Sequence, residues 1–117
     1  MFDQYPASIH WGSLDVMPSS LRVYQDGKRV TLTLRQFEAL MAFLANPHKT
    51  LSRQDLWQFC TAQEGRPGES SDPTYRMVDV YVAQIRRRLG RDVIETIRGV
   101  GYQLGPCLGA VPLETSV

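Results

Sequence analysis

Metal and redox chemistry have little to work with in this 117-residue chain, which holds two cysteines and two histidines. Cys60 and Cys107 stand alone, with no C-x-x-C spacing and no histidine near either, so neither a zinc site nor a disulfide framework is indicated and reduced thiols are expected. His10 and His48 are far apart, and no Ser/His/Asp or Cys/His set lies beside a glycine-rich elbow. Gly99-Val100-Gly101 precedes a strand-forming run and not a helix, which excludes a phosphate-cradling loop. The chain is therefore not expected to be an enzyme or to hold a cofactor or metal. No apolar run approaches the roughly 18 residues of a membrane span, and Met-Phe-Asp-Gln-Tyr-Pro lacks the basic start and apolar core of a signal peptide. A cytoplasmic protein with no membrane partner is the expectation. An excess of one charge is missing too: 13 Lys+Arg stand against 12 Asp+Glu, giving a formal net charge of +1. As a whole the chain has no polyanion-binding signature.

What it does have is enough apolar material, 43% of the residues, for one compact domain with a core. Ile9 to Val16 and Leu21 to Tyr24 read as strands separated by Pro18-Ser19-Ser20, and Asp26-Gly27 suits a two-residue hairpin needing positive φ twice. The period then changes from two to 3.6. Thr33 to Gln36 matches a capping box, and Phe37, Leu40, Met41 and Leu44 form a stripe ending before Asn46-Pro47. Ser52 to Asp55 is a looser cap, with aspartate where glutamate is preferred, and Leu56, Phe59 and Trp57 are candidates to face inward. Thr61 to Ser71 has no apolar period and reads as an exposed loop.

A third helix follows, with Asp72-Pro73 fitting its start and Gly90 its left-handed C-cap. At 100° per residue, Val78, Val82, Ile85 and Leu89 share one narrow sector. The opposite sector collects Arg76, Val80, Ala83, Gln84 and Arg87, with Met77, Tyr81 and Arg88 on one margin and Arg86 on the other. Alone, this helix is explained better by an ordinary amphipathic helix with a solvated basic side. The adjoining hairpin shifts the balance. Ile94, Thr96, Tyr102 and Leu104 are strand formers around a glycine tip that presents Arg98. A basic helix beside such a tip can follow the major groove of a duplex and its neighbouring minor groove. Charge is concentrated where that reading needs it, since residues 76–98 carry six arginines against three acids.

The ordered series Leu32-Thr33 with Phe37, Leu51-Ser52-Arg53 with Leu56, Val78-Asp79-Val80 with Ile85-Arg86 and Leu89, and Ile97-Arg98-Gly99-Val100-Gly101-Tyr102 resembles the winged-helix DNA-binding domain of OmpR/PhoB-type response regulators. The match covers about residues 9–104, leaving 1–8 as an N-terminal extension and 105–117 as a tail. An α+β winged helix-turn-helix is implied: an N-terminal four-stranded antiparallel sheet, three helices, and a C-terminal β-hairpin wing. The resemblance also implies an output domain of a two-component transcriptional regulator, with the recognition helix over about 73–89. Its contact positions fall on Arg76, Met77, Val80, Tyr81, Ala83, Gln84 and Arg86, and its minor-groove arginine on Arg98, while helical geometry adds Arg87. Asp79 is expected to be structural, because a carboxylate facing phosphates repels them.

Departures from the family pattern accompany the match. Positions 83 and 84 are often basic in relatives but are alanine and glutamine here, which thins the phosphate charge and leaves Gln84 as an adenine reader. The phosphoacceptor domain that usually precedes such a module is not in this chain, so a stand-alone regulator or an excised effector domain is expected. Expected partners are double-stranded DNA, a second copy on repeated half-sites, and RNA polymerase through the 61–74 loop. Winged helices also dock proteins, and Met77, Val80 and Tyr81 offer an apolar patch for that alternative, a protein-interaction module without strong DNA binding.

Overall fold

The computed structural model describes Phe2, residues 4–63 and residues 75–106. Its first layer is an antiparallel meander of β1 (Ile9–Trp11), β2 (Leu14–Met17), β3 (Arg22–Gln25) and β4 (Lys28–Val30), hydrogen-bonded in that order. The single strand predicted over 9–16 is in fact two. The chain reverses at Gly12-Ser13, with Gly12 at φ 58° and Trp11 paired to Leu14. Pairing Trp11 with Leu14 puts Ile9, Trp11, Leu14 and Val16 on one face of the sheet, and the apolar positions accordingly shift from odd to even numbers across the turn, a phase slip that marks the break. At Asp26-Gly27 the expected turn is present, with φ values of 52° and 83° and Gln25 opposite Lys28.

Both predicted helix caps form. Thr33 Oγ1 accepts from the Gln36 backbone N–H at 3.3 Å, and Gln36 Oε1 accepts from the Thr33 N–H at 3.0 Å, opening α1 (Leu34–Ala45). Asp55 serves as well as the preferred glutamate: it accepts from Ser52 N–H at 3.0 Å while Ser52 Oγ accepts from Asp55 N–H at 3.0 Å, opening α2 (Arg53–Gln63). The short side chain reaches because the contact is to backbone within the same turn.

α1 is the central element and is buried on nearly every side from Gln36 to Leu44. It packs against α2 and against α3 (Arg76–Leu89), while Leu14, Val16 and Val23 cover the core from the sheet. Phe2, in the predicted extension, is itself a core residue, fully buried with its ring 5.7 Å from that of Phe37. The wing is β5 (Ile94–Ile97) with β6 (Gly101–Leu104). A third partner steadies it: Leu51 N–H donates to Tyr102 O at 2.7 Å and Tyr102 N–H to Leu51 O at 2.9 Å. Beyond the predicted limit of 104, Gly105 is buried, donates its N–H to Val93 O at 2.8 Å, and accepts from the Trp11 indole at 2.8 Å.

Cys60 lies buried between α2 and α1, and burial, reinforced by the nearby Glu38 carboxylate and partly offset by Arg35, pushes its thiol from an ordinary 9.0 to about 12. The folded state thus holds the proton more tightly than the unfolded chain. Its contribution to stability is complete below the unfolded value and is lost as pH rises through the folded one. Urea melts on a Cys107→Ser background are expected to lose roughly 1 kcal/mol more between pH 8 and 10 with Cys60 present than with Cys60→Ala. Parallel pH profiles for the two would contradict this.

Candidate nucleic-acid interface

α3 starts later than predicted. Asp72 and Pro73 lie outside the described residues, and the helix begins at Arg76, directly after Tyr75 in a left-handed conformation (φ 56°, ψ 36°) with no side-chain cap. Tyr75 is held there by packing, its ring 6.4 Å from that of Trp57. At the other end Gly90 adopts φ 108°, ψ 157°, which is not the expected left-handed helical cap. A positive φ is still required, and the Gly90 N–H closes the helix on Arg86 O at 2.8 Å.

Between these ends the faces separate as the 3.6 period demands. Val78, Val82, Ile85 and Leu89 are buried to 2% exposure or less. Arg76, Met77, Val80, Ala83, Arg87 and Arg88 are exposed, while Tyr81, Gln84 and Arg86 are half-buried. Burial raises the Tyr81 hydroxyl above its ordinary value, so it remains a neutral donor.

Gln84 is oriented by α1. Because Gln36 Oε1 is taken by the Thr33 N–H, the amide nitrogen of Gln36 is the donor to Gln84 Oε1, at 2.9 Å. The Gln84 carbonyl is therefore turned to α1, and its N–H donors remain for another molecule. A bidentate adenine contact needs donor and acceptor together, so it has to share the Gln84 carbonyl with Gln36 through the second lone pair. A contact to an acceptor edge, such as guanine O6 and N7, does not.

Arg86 is also held within the protein. Its Nε and Nη2 donate to Ile94 O at 3.0 and 2.8 Å, Nη2 donates to Thr96 Oγ1 at 2.8 Å, and the guanidinium stands 5.7 Å from the Tyr102 ring centre. These bonds fasten α3 to β5. A second fastening runs through Asp79, which accepts from Arg53 of α2 at 3.1 Å and from the Tyr102 hydroxyl of β6 at 2.5 Å. Burial first, and then the Asp79 hydrogen bond, raise the Tyr102 hydroxyl and keep it a donor. Asp79 is structural, as its charge suggested. Tyr102 and Thr96, read from sequence as mere strand formers, prove to be the wing's attachment points; no local pattern encodes a partner on another element.

Arg98 is exposed at the wing tip beside Gly99, whose φ is 76°. Among the described residues no hydrogen bond or ion pair engages Arg87, Arg88, Arg91 or Arg98. The site thus combines unengaged guanidinium groups on the exposed side of a helix with a hairpin tied to that helix at three of its residues. Among the described residues no cluster of His, Cys, Asp or Glu could hold a metal ion, and no helix is long and apolar enough to cross a membrane.

Known proteins share both sequence and shape with this chain. The response regulator PmrA of Pseudomonas aeruginosa is 34% identical over 97 residues, covering 83% of this chain and 41% of that protein. CseB, a transcriptional regulatory protein of Streptomyces coelicolor, is 35% identical over 100 residues, covering 82% and 38%. The chain therefore spans about two fifths of the length of these relatives. Among solved structures, the DNA-binding domain of Klebsiella pneumoniae RstA, in complex with the RstA box, superposes with a TM-score of 0.70 at 25% identity, covering 86% of this chain and 99% of that one. The DNA-binding domain of the response regulator AdeR, in complex with an intercistronic region, gives 0.68 at 25% identity, covering 82% and 96%. Residues 27–104 match the family described as "Transcriptional regulatory protein, C terminal", and the chain belongs to that family of OmpR/PhoB-type effector domains.

Proposed function

We propose that this domain binds double-stranded DNA in a sequence-specific manner as the output module of a transcriptional regulator, with α3 in the major groove and the wing tip at the minor groove. The observation that carries the reading is the exposed α3 face, where the guanidinium groups of Arg87 and Arg88 are engaged by no hydrogen bond or ion pair among the described residues, locked to a wing that presents Arg98. Arg76, Met77, Val80, Ala83, Gln84 and Arg87 then face the duplex, and Tyr81 borders it. Arg86 supports from behind. One small domain with few phosphate contacts gains useful specificity by binding as two copies on repeated half-sites. The site of action is the cytoplasm, where the chromosome is. The expected polymerase contact through the 61–74 loop falls almost wholly outside the described residues.

Titration of the chain against its genomic fragments at several salt concentrations tests the proposal. Selective binding that weakens steeply with salt is expected. Binding to no fragment, or binding indifferent to salt, overturns it. The competing reading, a protein-docking surface, draws on Met77 and Val80, which are 41% and 40% exposed on α3. Apolar contact with thymine methyl groups accounts for the same exposure.

Gln84→Glu separates recognition from folding. The carboxylate still accepts from Gln36, so the melting temperature is expected to change little. Its donors are gone, and discrimination at one base pair should fall by about 1–3 kcal/mol. A selection experiment that returns the wild-type motif for this variant removes Gln84 from the readers.

A further inference from the structure

We propose that the open cleft between α3 and β5 seats a phosphodiester of the DNA backbone, held by Arg87 and Arg91. The proposal deepens the duplex-binding reading and rests on it. The cleft measures about 840 Å³ and is walled by Ala83, Arg87 and Arg91 on one side and by Glu95 and Thr96 on the other, with Arg86 also lining it.

Its construction follows from spacing. Ala83 and Arg87 are one helical turn apart on the exposed face of α3. Gly90 ends the helix, and the 3-10 turn Arg91–Val93 carries the chain on, so that Arg91 joins Arg87 in lining the cleft. The apolar period of α3 ends at the glycine, so no local pattern singles out Arg91. Both side chains are exposed, and neither is engaged by a hydrogen bond or ion pair among the described residues.

Arg86 differs: its donors are turned to Ile94 O and Thr96 Oγ1, so it adds positive charge to the cleft without offering its fork to a ligand. The alanine at 83 acquires a purpose here. A long basic side chain in that place would occupy the cleft mouth, whereas a methyl group leaves it open to a bulky backbone. Three guanidinium groups against the one Glu95 carboxylate keep the local field positive. The cleft is open to solvent, as a continuous polymer requires.

Salt titrations of the whole chain on one duplex, for the wild type, Arg91→Ala, Arg91→Lys and Arg22→Ala, provide the test. Each phosphate neutralised contributes about 0.9 to the slope of log K against log salt. Arg91→Ala should lower the slope by that amount, so that between 50 and 200 mM salt it loses roughly threefold less affinity than the wild type. Arg91→Lys should keep the slope. Arg22→Ala, which removes the same charge at the end of β3 remote from the Gln25 contact with Leu89, should keep it too. An unchanged slope for Arg91→Ala, with the wild type binding normally, overturns the cleft alone. A wild type that binds no duplex removes the parent reading and this one with it. Saturation of the Arg91 side-chain resonance by millimolar inorganic phosphate, with no slope change on DNA, assigns the cleft to a free anion and also overturns the proposal.

Discussion

Gly101→Ala is expected to lower the stability of the domain by about 3 kcal/mol or more, the upper range of an overpacked core substitution. A Cβ built at this residue falls 2.0 Å from Leu51 O and 2.9 Å from the Leu51 carbonyl carbon, and φ is +158°. Backbone on both sides of the clash leaves no flexible side chain to move aside. The offending atom is also the acceptor for Tyr102 N–H, so relief by displacement breaks the bond that holds β6 to the segment before α2. Gly99→Ala is the internal control. It has a comparable need for positive φ, at +76°, but nothing within 4 Å, so it should cost only about 1 kcal/mol of conformational strain. Chemical denaturation of the two variants checks the contrast. Equal losses would mean that wing-tip conformation, and not the Leu51 contact, makes glycine necessary.

The same residue illustrates how much the chain discloses before it folds. Gly99-Val100-Gly101 marks a turn, and the strand formers around it mark a hairpin, because both signals are local. That Gly101 must also admit Leu51, fifty residues earlier, is a tertiary requirement with no local trace. The helices followed suit: capping boxes at Thr33 and Ser52 and the stripe Val78, Val82, Ile85, Leu89 are periodic or short-range features, and they appear as read. Phe2 and the Gly12 turn differ in what the sequence discloses. An isolated terminal phenylalanine has no period to belong to, whereas the turn at Gly12 leaves a trace, the slip of the apolar positions from 9 and 11 to 14 and 16.

At the candidate site, sequence distinguished the inner face of α3 from the outer one but not which outer side chains are already engaged. Exposure is a property of angle; occupancy depends on what stands opposite. Gln84 meets Gln36 of α1, and Arg86 meets β5, so these positions assigned by resemblance have partners inside the protein. Arg87, next to Arg86 and equal to it in type, has none among the described residues. One helical step of 100° separates a structural arginine from one available to a ligand.

Arg86→Ala should therefore behave as the loss of a joint and not of a phosphate contact. Hydrogen bonds to a charged donor contribute about 1.5–3 kcal/mol each, but three on one half-exposed side chain do not add. A stability loss of about 2 kcal/mol is expected. Binding should weaken roughly tenfold or more, most on duplexes with a narrow A·T-rich minor groove, because a wing released from α3 no longer delivers Arg98 in register. The salt slope should fall by much less than the 0.9 of a lost phosphate ligand, since Arg86 lends the cleft its charge but no direct contact. Arg86→Lys makes the distinction sharper. A lysine retains the charge that a phosphate needs but cannot reproduce the fork in which Nε and Nη2 share Ile94 O while Nη2 also reaches Thr96. It should resemble the alanine variant in both melting and affinity. Wild-type affinity in Arg86→Lys, together with a slope reduced by about 0.9 and an unchanged melt in Arg86→Ala, would instead make Arg86 a phosphate ligand and leave the wing dependent on Asp79 and Leu51 alone.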